Sequence, residues 1–435
     1  MVPPRLRVLE VGCAQGDLLA ALQPSVGVGI DFSANMIKRA SEKYPDLRFI
    51  HGDAHELSLD ETFDVIILSD LINDLWDVQV VFDKLRSVTT ARTRLLLNTY
   101  NHLWEAPITL AQRLGLSQPT LGQNWLTIED ITNLLRLTGF EILKHRREIL
   151  APFDVPLLSR TANRFLAKLW PLSLLTVTNF VIARCGGSPG RRSDVDGLLV
   201  SVVVPARNEA GNIEGIFART PEMGRGTELI FVEGHSNDGT YAAIEQASAK
   251  HPERRFKLIR QTGSGKGDAV RLGFAHATGE ILMILDADLT VPPETLPRFC
   301  EALVSERGEF INGVRLVYPM EDQSMRFLNL VGNKLFSLAF SWLLDQPIKD
   351  TLCGTKVLWK YDYALIAANR AAFGDFDPFG DFDLLFGASK LNLKIVDLPI
   401  RYCERVYGTT NIQRWRHGWL LLRMVIVAAR RIKFA

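Results

Sequence analysis

Short runs of Val, Ile and Leu alternate with longer stretches whose apolar residues recur every three or four positions, and this rhythm fills residues 6–184. A brief apolar run bounded by polar turns is the pattern of a buried strand, and the stretch between two such runs is that of a crossover helix, so strand–helix units around a parallel sheet are expected. The predicted strands are LRVLEV, VGVGI, LRFI, FDVIILS, RLLLN, FEILKHR and VTNFVIAR. The rhythm then breaks at CGGSPGRRSDVDG, whose Gly, Ser and charge read as an exposed connector. It resumes with LLVSVVVP, ELIFVE, KLIR, ILMILDAD, EFINGVR and KIVDLPIRY. Two α/β domains follow, at 1–185 and 198–410, with a linker at 186–197 and a basic amphipathic tail at 411–435. The two halves carry different motifs and no repeat, which makes the chain a fusion and not a duplication.

Length agrees, since 435 residues exceed the roughly 250–300 at which one core stops growing. A net charge of +1 argues against a surface built to grip a nucleic-acid backbone, so no nucleic-acid partner is expected. The five cysteines have neither paired spacing nor nearby histidines and read as reduced thiols of a cytoplasmic protein. MVPPRLRVLEVG lacks the pattern of a secretory signal, and no segment reaches the roughly 20 apolar residues that span a bilayer.

In the first half, LRVLEVGCAQGDLL is a strand, a glycine-containing turn and a helix start. Gly12 and Gly16 allow close approach of a ligand to backbone, and the helix offers free N–H groups. Asp31 ends the next strand, where an acid can hold both ribose hydroxyls, and Asp53 ends the third. A nicotinamide-binding domain is the rival reading of these glycines. With Glu10 two residues before Gly12, the stretch resembles the class I S-adenosylmethionine-dependent methyltransferases over about residues 5–184. The resemblance implies a Rossmann-like fold with Glu10, Gly12, Gly16, Asp31 and Asp53 as S-adenosylmethionine contacts. Ala14 stands where that family usually has a third glycine. Acceptor-facing candidates after the fourth strand are Asp70, Asn73 and Asp74, expected to be exposed.

In the second half, LLVSVVVPARNE ends in Pro205, Arg207, Asn208 and Glu209, and ELIFVEGHSNDGT places Glu233 and Asp238 at the next strand end. Polar groups leaving adjacent parallel strands make a cleft for a nucleoside. GSGKGDAVRLGF has Arg260 where a nucleotide-triphosphatase loop needs its first glycine, so it is not that motif, but Lys266 can stand as a point charge beside a phosphate. ILMIL is a continuous apolar run that ends in Asp286 and Asp288. Strand alternation would turn both acids to one side, where they share a hard cation such as Mg²⁺ or Mn²⁺.

Together these pieces resemble the family-two glycosyltransferases over about residues 198–405, most nearly the dolichol-phosphate mannosyltransferase-like members. The motifs carrying this are VVVPARNE, GSGKGDAVRLGF, LDADLT and DTLCGTK. The resemblance implies a nucleotide-diphospho-sugar transferase fold of the GT-A type, a nucleotide-sugar donor and a polyprenyl-phosphate acceptor. It also implies inversion at the anomeric carbon in one displacement. Arg315 and Arg326 are the acceptor-phosphate contacts it implies, with Arg405 a further candidate. A hydroxyl acceptor would instead need a base, sought at Asp381 or Asp383, with the first domain a binding module. Thr290 stands where the mannosyltransferases carry a metal-contacting glutamine. The tail, with Trp415 and Trp419 among arginines, has the composition of a helix on an anionic membrane surface, which points to a peripheral enzyme at the cytoplasmic face.

Overall fold

A computed structural model describes residues 3–115, 123–152, 155, 157–186, 195–315, 327–370, 382–405, 407–408 and 414–434, the side chains of 327–333, 414–418, 420 and 421 excepted. Arg326 and Asp381 lie outside the described residues. The chain forms two compact units that divide at Gly186 and Gly187.

The N-terminal unit contains β1 (Arg7–Val11), β2 (Val26–Asp31), β3 (Arg48–His51), β4 (Val65–Leu68), β5 (Arg94–Tyr100), β6 (Phe140–Glu148) and β7 (Thr178–Cys185). They form one sheet in the order β3-β2-β1-β4-β5-β7-β6, parallel except that β7 runs against both β5 and β6. Both faces are covered. Leu9, Val11, Ile66 and Leu68 enter one core, and Val8, Val65 and Ile67 the other. This is why the strands read as unbroken apolar runs and not as alternation.

The C-terminal unit repeats the principle with β8 (Leu199–Ala206), β9 (Gly226–Glu233), β10 (Arg255–Arg260), β11 (Ile281–Ile284), β12 (Phe310–Val314), β13 (Lys356–Trp359) and β14 (Ile395–Pro399). The order is β10-β9-β8-β11-β13-β12-β14. β8 to β11 are mutually parallel, while β13 lies antiparallel between β11 and β12. β13 was not among the predicted strands, because four residues, KVLW, carry too little periodicity to separate from a loop. Ile281 and Met283 point into one core and Leu282 and Ile284 into the other, so β11 is a fully buried central strand. The helix Arg414–Ala428 sends Met424 and Ala428 into this unit's core and leaves Trp419, Leu422 and Ile426 exposed.

Candidate functional site

Because β8, β9 and β11 are parallel neighbours, their carboxyl ends open on one edge, and Ala206 pairs with Glu233 in register. Two polar loops emerge there and stitch to each other. Asn208 donates its N–H to Ser236 Oγ at 3.0 Å and accepts the Asn237 N–H at 2.8 Å. Glu233 accepts the Ser236 N–H at 2.6 Å, and Asp238 accepts the Ala210 N–H at 3.1 Å. Pro205 is half-buried and Arg207 exposed. Tyr407, which sequence reasoning missed, donates its hydroxyl to Asp238 at 3.2 Å.

Strand β11 stops at Ile284, so Asp286 and Asp288 stand in the following turn and strand alternation does not orient them. The turn does. Asp288 Oδ1 accepts both the backbone N–H and the hydroxyl of Thr290, at 3.1 and 2.7 Å. Its Oδ2 accepts from Arg405 at 2.7 Å, and the same guanidinium donates to Glu209 at 3.0 Å. Glu209 is buried and also accepts from Asn212 at 2.7 Å, yet burial wins over these partners and raises its pKa.

Asp286 Oδ1 lies 2.5 Å from Lys266 Nζ, at the start of the helix Lys266–His276. Burial opposes its ionisation, but the Lys266 ammonium, assisted by the charges of Lys356 and Arg315, holds the carboxyl below the usual range. Gly354 is pressed beneath this pair: a Cβ there would stand 2.0 Å from Asp286 Oδ2 and 2.3 Å from Lys266 Nζ. Lys356 is fully buried, with Nζ 3.2 Å from Asn312 Oδ1. Arg315 gives Nε and Nη2 to Asp350 at 2.8 and 2.9 Å, so part of its fork is already engaged. Asp383, at the start of the helix Phe382–Lys390, is buried and accepts from Arg370 Nε at 2.6 Å.

The structure thus joins Glu209, Arg405 and Asp288 in one chain of ion pairs and Asp286 with Lys266 in another, while Asp383 is held by Arg370. Among the described residues no group of three or more His, Cys, Asp or Glu gathers as a metal site, so a divalent ion could draw only on Asp286 and Asp288. Two carboxylates that each hold a basic side chain form a place where positive charge is stabilised, and Mg²⁺ characteristically takes one or two carboxylates and completes its shell with phosphate oxygens.

In the N-terminal unit, Gly12 and Gly16 adopt φ of 75° and 76°, a region open to glycine, and wrap the turn after β1. Glu10 is buried and accepts the Leu19 N–H at 3.1 Å; desolvation pushes its pKa up to about 7. Asp31 accepts from the N–H groups of Ala14 and Ser33, both at 2.9 Å, which leaves each oxygen a second lone pair for a hydroxyl. Asp53 caps a short 3₁₀ turn and accepts from the His55 N–H at 2.9 Å. Asn73 does not match the expectation of exposure: it is buried, accepting the Tyr100 N–H and donating to Asn124 O, whereas Asp70 and Asp74 are exposed. Phe32, directly after Asp31, and Trp76, stacked on His55 at 4.5 Å, are exposed aromatics that sequence reasoning passed over. An aromatic directly after a strand-end acid was the available signal.

Residues 201–358 match the model of glycosyl transferase family 2, and residues 4–139 match that of a methyltransferase domain. The chain is 37% identical over 247 residues to the dolichol-phosphate mannosyltransferase of Pyrococcus furiosus, a match covering 54% of this chain and 67% of that protein. It is 33% identical over 221 residues to the undecaprenyl-phosphate 4-deoxy-4-formamido-L-arabinose transferase of Edwardsiella ictaluri, covering 49% of this chain and 62% of that one. Among solved structures, an S-adenosylmethionine-dependent methyltransferase from Mesorhizobium loti aligns at 21% identity and a TM-score of 0.34, covering 42% of this chain and 92% of that one.

Proposed function

The chain belongs to glycosyl transferase family 2, and from that premise we propose that its C-terminal unit moves a hexose of the mannose or glucose class from a nucleotide diphosphate to a polyprenyl phosphate, with a divalent metal. The observation that carries the reading is the pair Asp286 and Asp288 just beyond the buried strand β11, each balanced by a basic side chain. The names of these two relatives, a dolichol-phosphate and an undecaprenyl-phosphate sugar transferase, support a lipid-phosphate acceptor.

Asn208, Glu209, Glu233 and Asp238 shape the nucleoside cleft, with Pro205 and Arg207 at its entrance. Asp286 and Asp288 would hold Mg²⁺ or Mn²⁺, which when bound neutralises the diphosphate leaving group. Lys266 adds a point charge beside the same phosphates. The acceptor phosphate is largely ionised at neutral pH, because its second pKa is near 6, so it needs no strong base. Positioning then dominates: Arg405 and the N–H groups of Arg315 not engaged by Asp350 orient the acceptor oxygen for a single inverting displacement. Asp383, already paired with Arg370, has no step to perform with such an acceptor. Arg326 retains the acceptor role that the family resemblance implies.

The N-terminal unit is proposed to bind S-adenosylmethionine, with Gly12 and Gly16 lining the turn and Asp31 on the ribose. Calorimetric titration with this donor and with NAD distinguishes the two cofactors; heat only with NAD would reverse the assignment. Among the described residues no helix is long and apolar enough to cross a membrane. A peripheral position at the cytoplasmic face of a membrane is proposed from the composition of the tail, where Trp415 and Trp419 stand among arginines.

The decisive assay incubates the protein with Mn²⁺ or Mg²⁺, labelled sugar nucleotides and a polyprenyl phosphate, then extracts the lipid. Label should enter the lipid phase and fall at least ~100-fold in Asp288→Ala. Label confined to water-soluble product would point to a hydroxyl acceptor, with the N-terminal unit a binding module.

A further inference from the structure

The N-terminal unit carries an apolar surface that its core does not use. β6 and β7 pair along their length, and such strands need only about two to five linking residues, yet residues 149–177 lie between them. Burial in this insert is inverted. The helix Leu158–Arg164 turns Ser159 and Ala162 inward, while Leu158 is 67% exposed, the preceding Leu157 83% and Trp170 81%. The helix Glu105–Arg113, which follows β5, buries no residue, and Leu103, Leu110 and Leu114 nearby are each more than half exposed. A helix facing water on one side and a core on the other does the opposite.

Among the described residues the frame beneath these side chains is tied at several points. Asn163 accepts the Ala151 N–H at 2.8 Å and donates to the Ala151 carbonyl at 2.9 Å. Asn101 donates to the carbonyls of Leu174 and Thr176 at 3.0 and 2.8 Å, and the Trp104 indole donates to that of Leu175 at 3.0 Å. The insert and the helix after β5 therefore form one edge. Because β6 runs in the same direction as β5, both segments leave from the carboxyl edge of the sheet, the edge that carries Gly12 and Asp31.

Charge identifies the occupant. Residues 149–177 hold Arg160, Arg164 and Lys168 against one acid, Asp154. Lys168 pairs with Glu148 just outside the insert and Arg164 gives its Nε to the Phe434 carbonyl at 2.6 Å, while Arg160 is exposed among the leucines, as is Arg113 at the end of the other helix, which opens on Glu105. A small apolar substrate would be enclosed in a concave pocket. Outward-facing Leu and Trp interleaved with Arg instead match the headgroup layer of an anionic membrane, where indoles and guanidinium groups sit at the interface. We infer that residues 149–177 and the helix Glu105–Arg113 seat the N-terminal unit on an anionic lipid bilayer, with the carboxyl edge of its sheet turned toward the lipid. This goes beyond glycosyl transfer and does not depend on it.

The test uses the full chain and vesicles of phosphatidylcholine with phosphatidylglycerol. Replacing Leu157, Leu158 and Trp170 together by Ser should lower vesicle partitioning at least ~10-fold, with the far-ultraviolet spectrum and melting temperature retained because all three are exposed. Arg160→Glu should weaken binding to the mixed vesicles and not to phosphatidylcholine alone. Independently of the triple variant's folding, brominated lipid should quench the parent's fluorescence more than that of Trp170→Phe. No vesicle binding by the parent, unchanged partitioning of a folded triple variant, or equal quenching of parent and Trp170→Phe would each overturn the proposal. None of these readings requires sugar transfer, so they stand whatever the acceptor assay returns.

Discussion

Glu10 shows how a single side chain can couple this protein to pH. Its carboxyl is buried against the backbone of a helix start, and desolvation raises its pKa from an ordinary 4.5 to about 7. Below 4.5 the group is protonated in both the folded and unfolded chain, and its contribution to stability is complete. As pH rises toward 7 the unfolded chain ionises first, and the contribution is lost through that window and absent above it. The shift corresponds to about 3 kcal/mol. Thermal melts between pH 4.5 and 8 should therefore show a steeper decline for the parent than for Glu10→Gln, and parallel curves would refute the burial argument. At the other site, Arg405 competes with any metal for Asp288. Arg405→Ala should bind Mn²⁺ roughly fivefold more tightly in the absence of donor, the scale of one lost ion pair of about 1 kcal/mol, while turnover falls. Unchanged affinity by paramagnetic resonance would mean that the pair is incidental.

At the scale of elements, the loop between Asp350 and β13 works as a floor for the turn after β11. Its contact point is Gly354, where no side chain fits without moving Asp286 or Lys266. Those two side-chain ends can shift at small cost to the fold, but they are the groups proposed to face the metal and the phosphates. Gly354→Ala is thus expected to leave the melting temperature nearly unchanged and to reduce sugar transfer by ~100-fold, the effect of displacing reacting groups by about 1 Å. Full activity in that variant would show that Asp286 tolerates displacement. DTLCGTK was legible as a motif in the sequence. That it ends in a strand inserted antiparallel between β11 and β12 was not, because four residues carry too weak a period.

For the whole molecule, each unit has, among the described residues, its own seven-stranded sheet and its own buried faces. Fragments 1–186 and 195–435, expressed separately, should each melt cooperatively; a fragment without a transition would show that its core is incomplete alone. The sequence by itself determined the α/β class and most strands, because a buried parallel strand must be apolar on both faces and that demand is written locally. It also located the acids and glycines at strand ends. Tertiary structure alone decided which groups meet: Arg405 reaches Glu209 across 196 positions and Asp288 across 117, Asn73 turns inward, and leucines of the β6–β7 insert turn outward. Periodicity reports only a residue's nearest neighbours along the chain, whereas the partner of a charge and the direction of an apolar face depend on where distant segments come to lie.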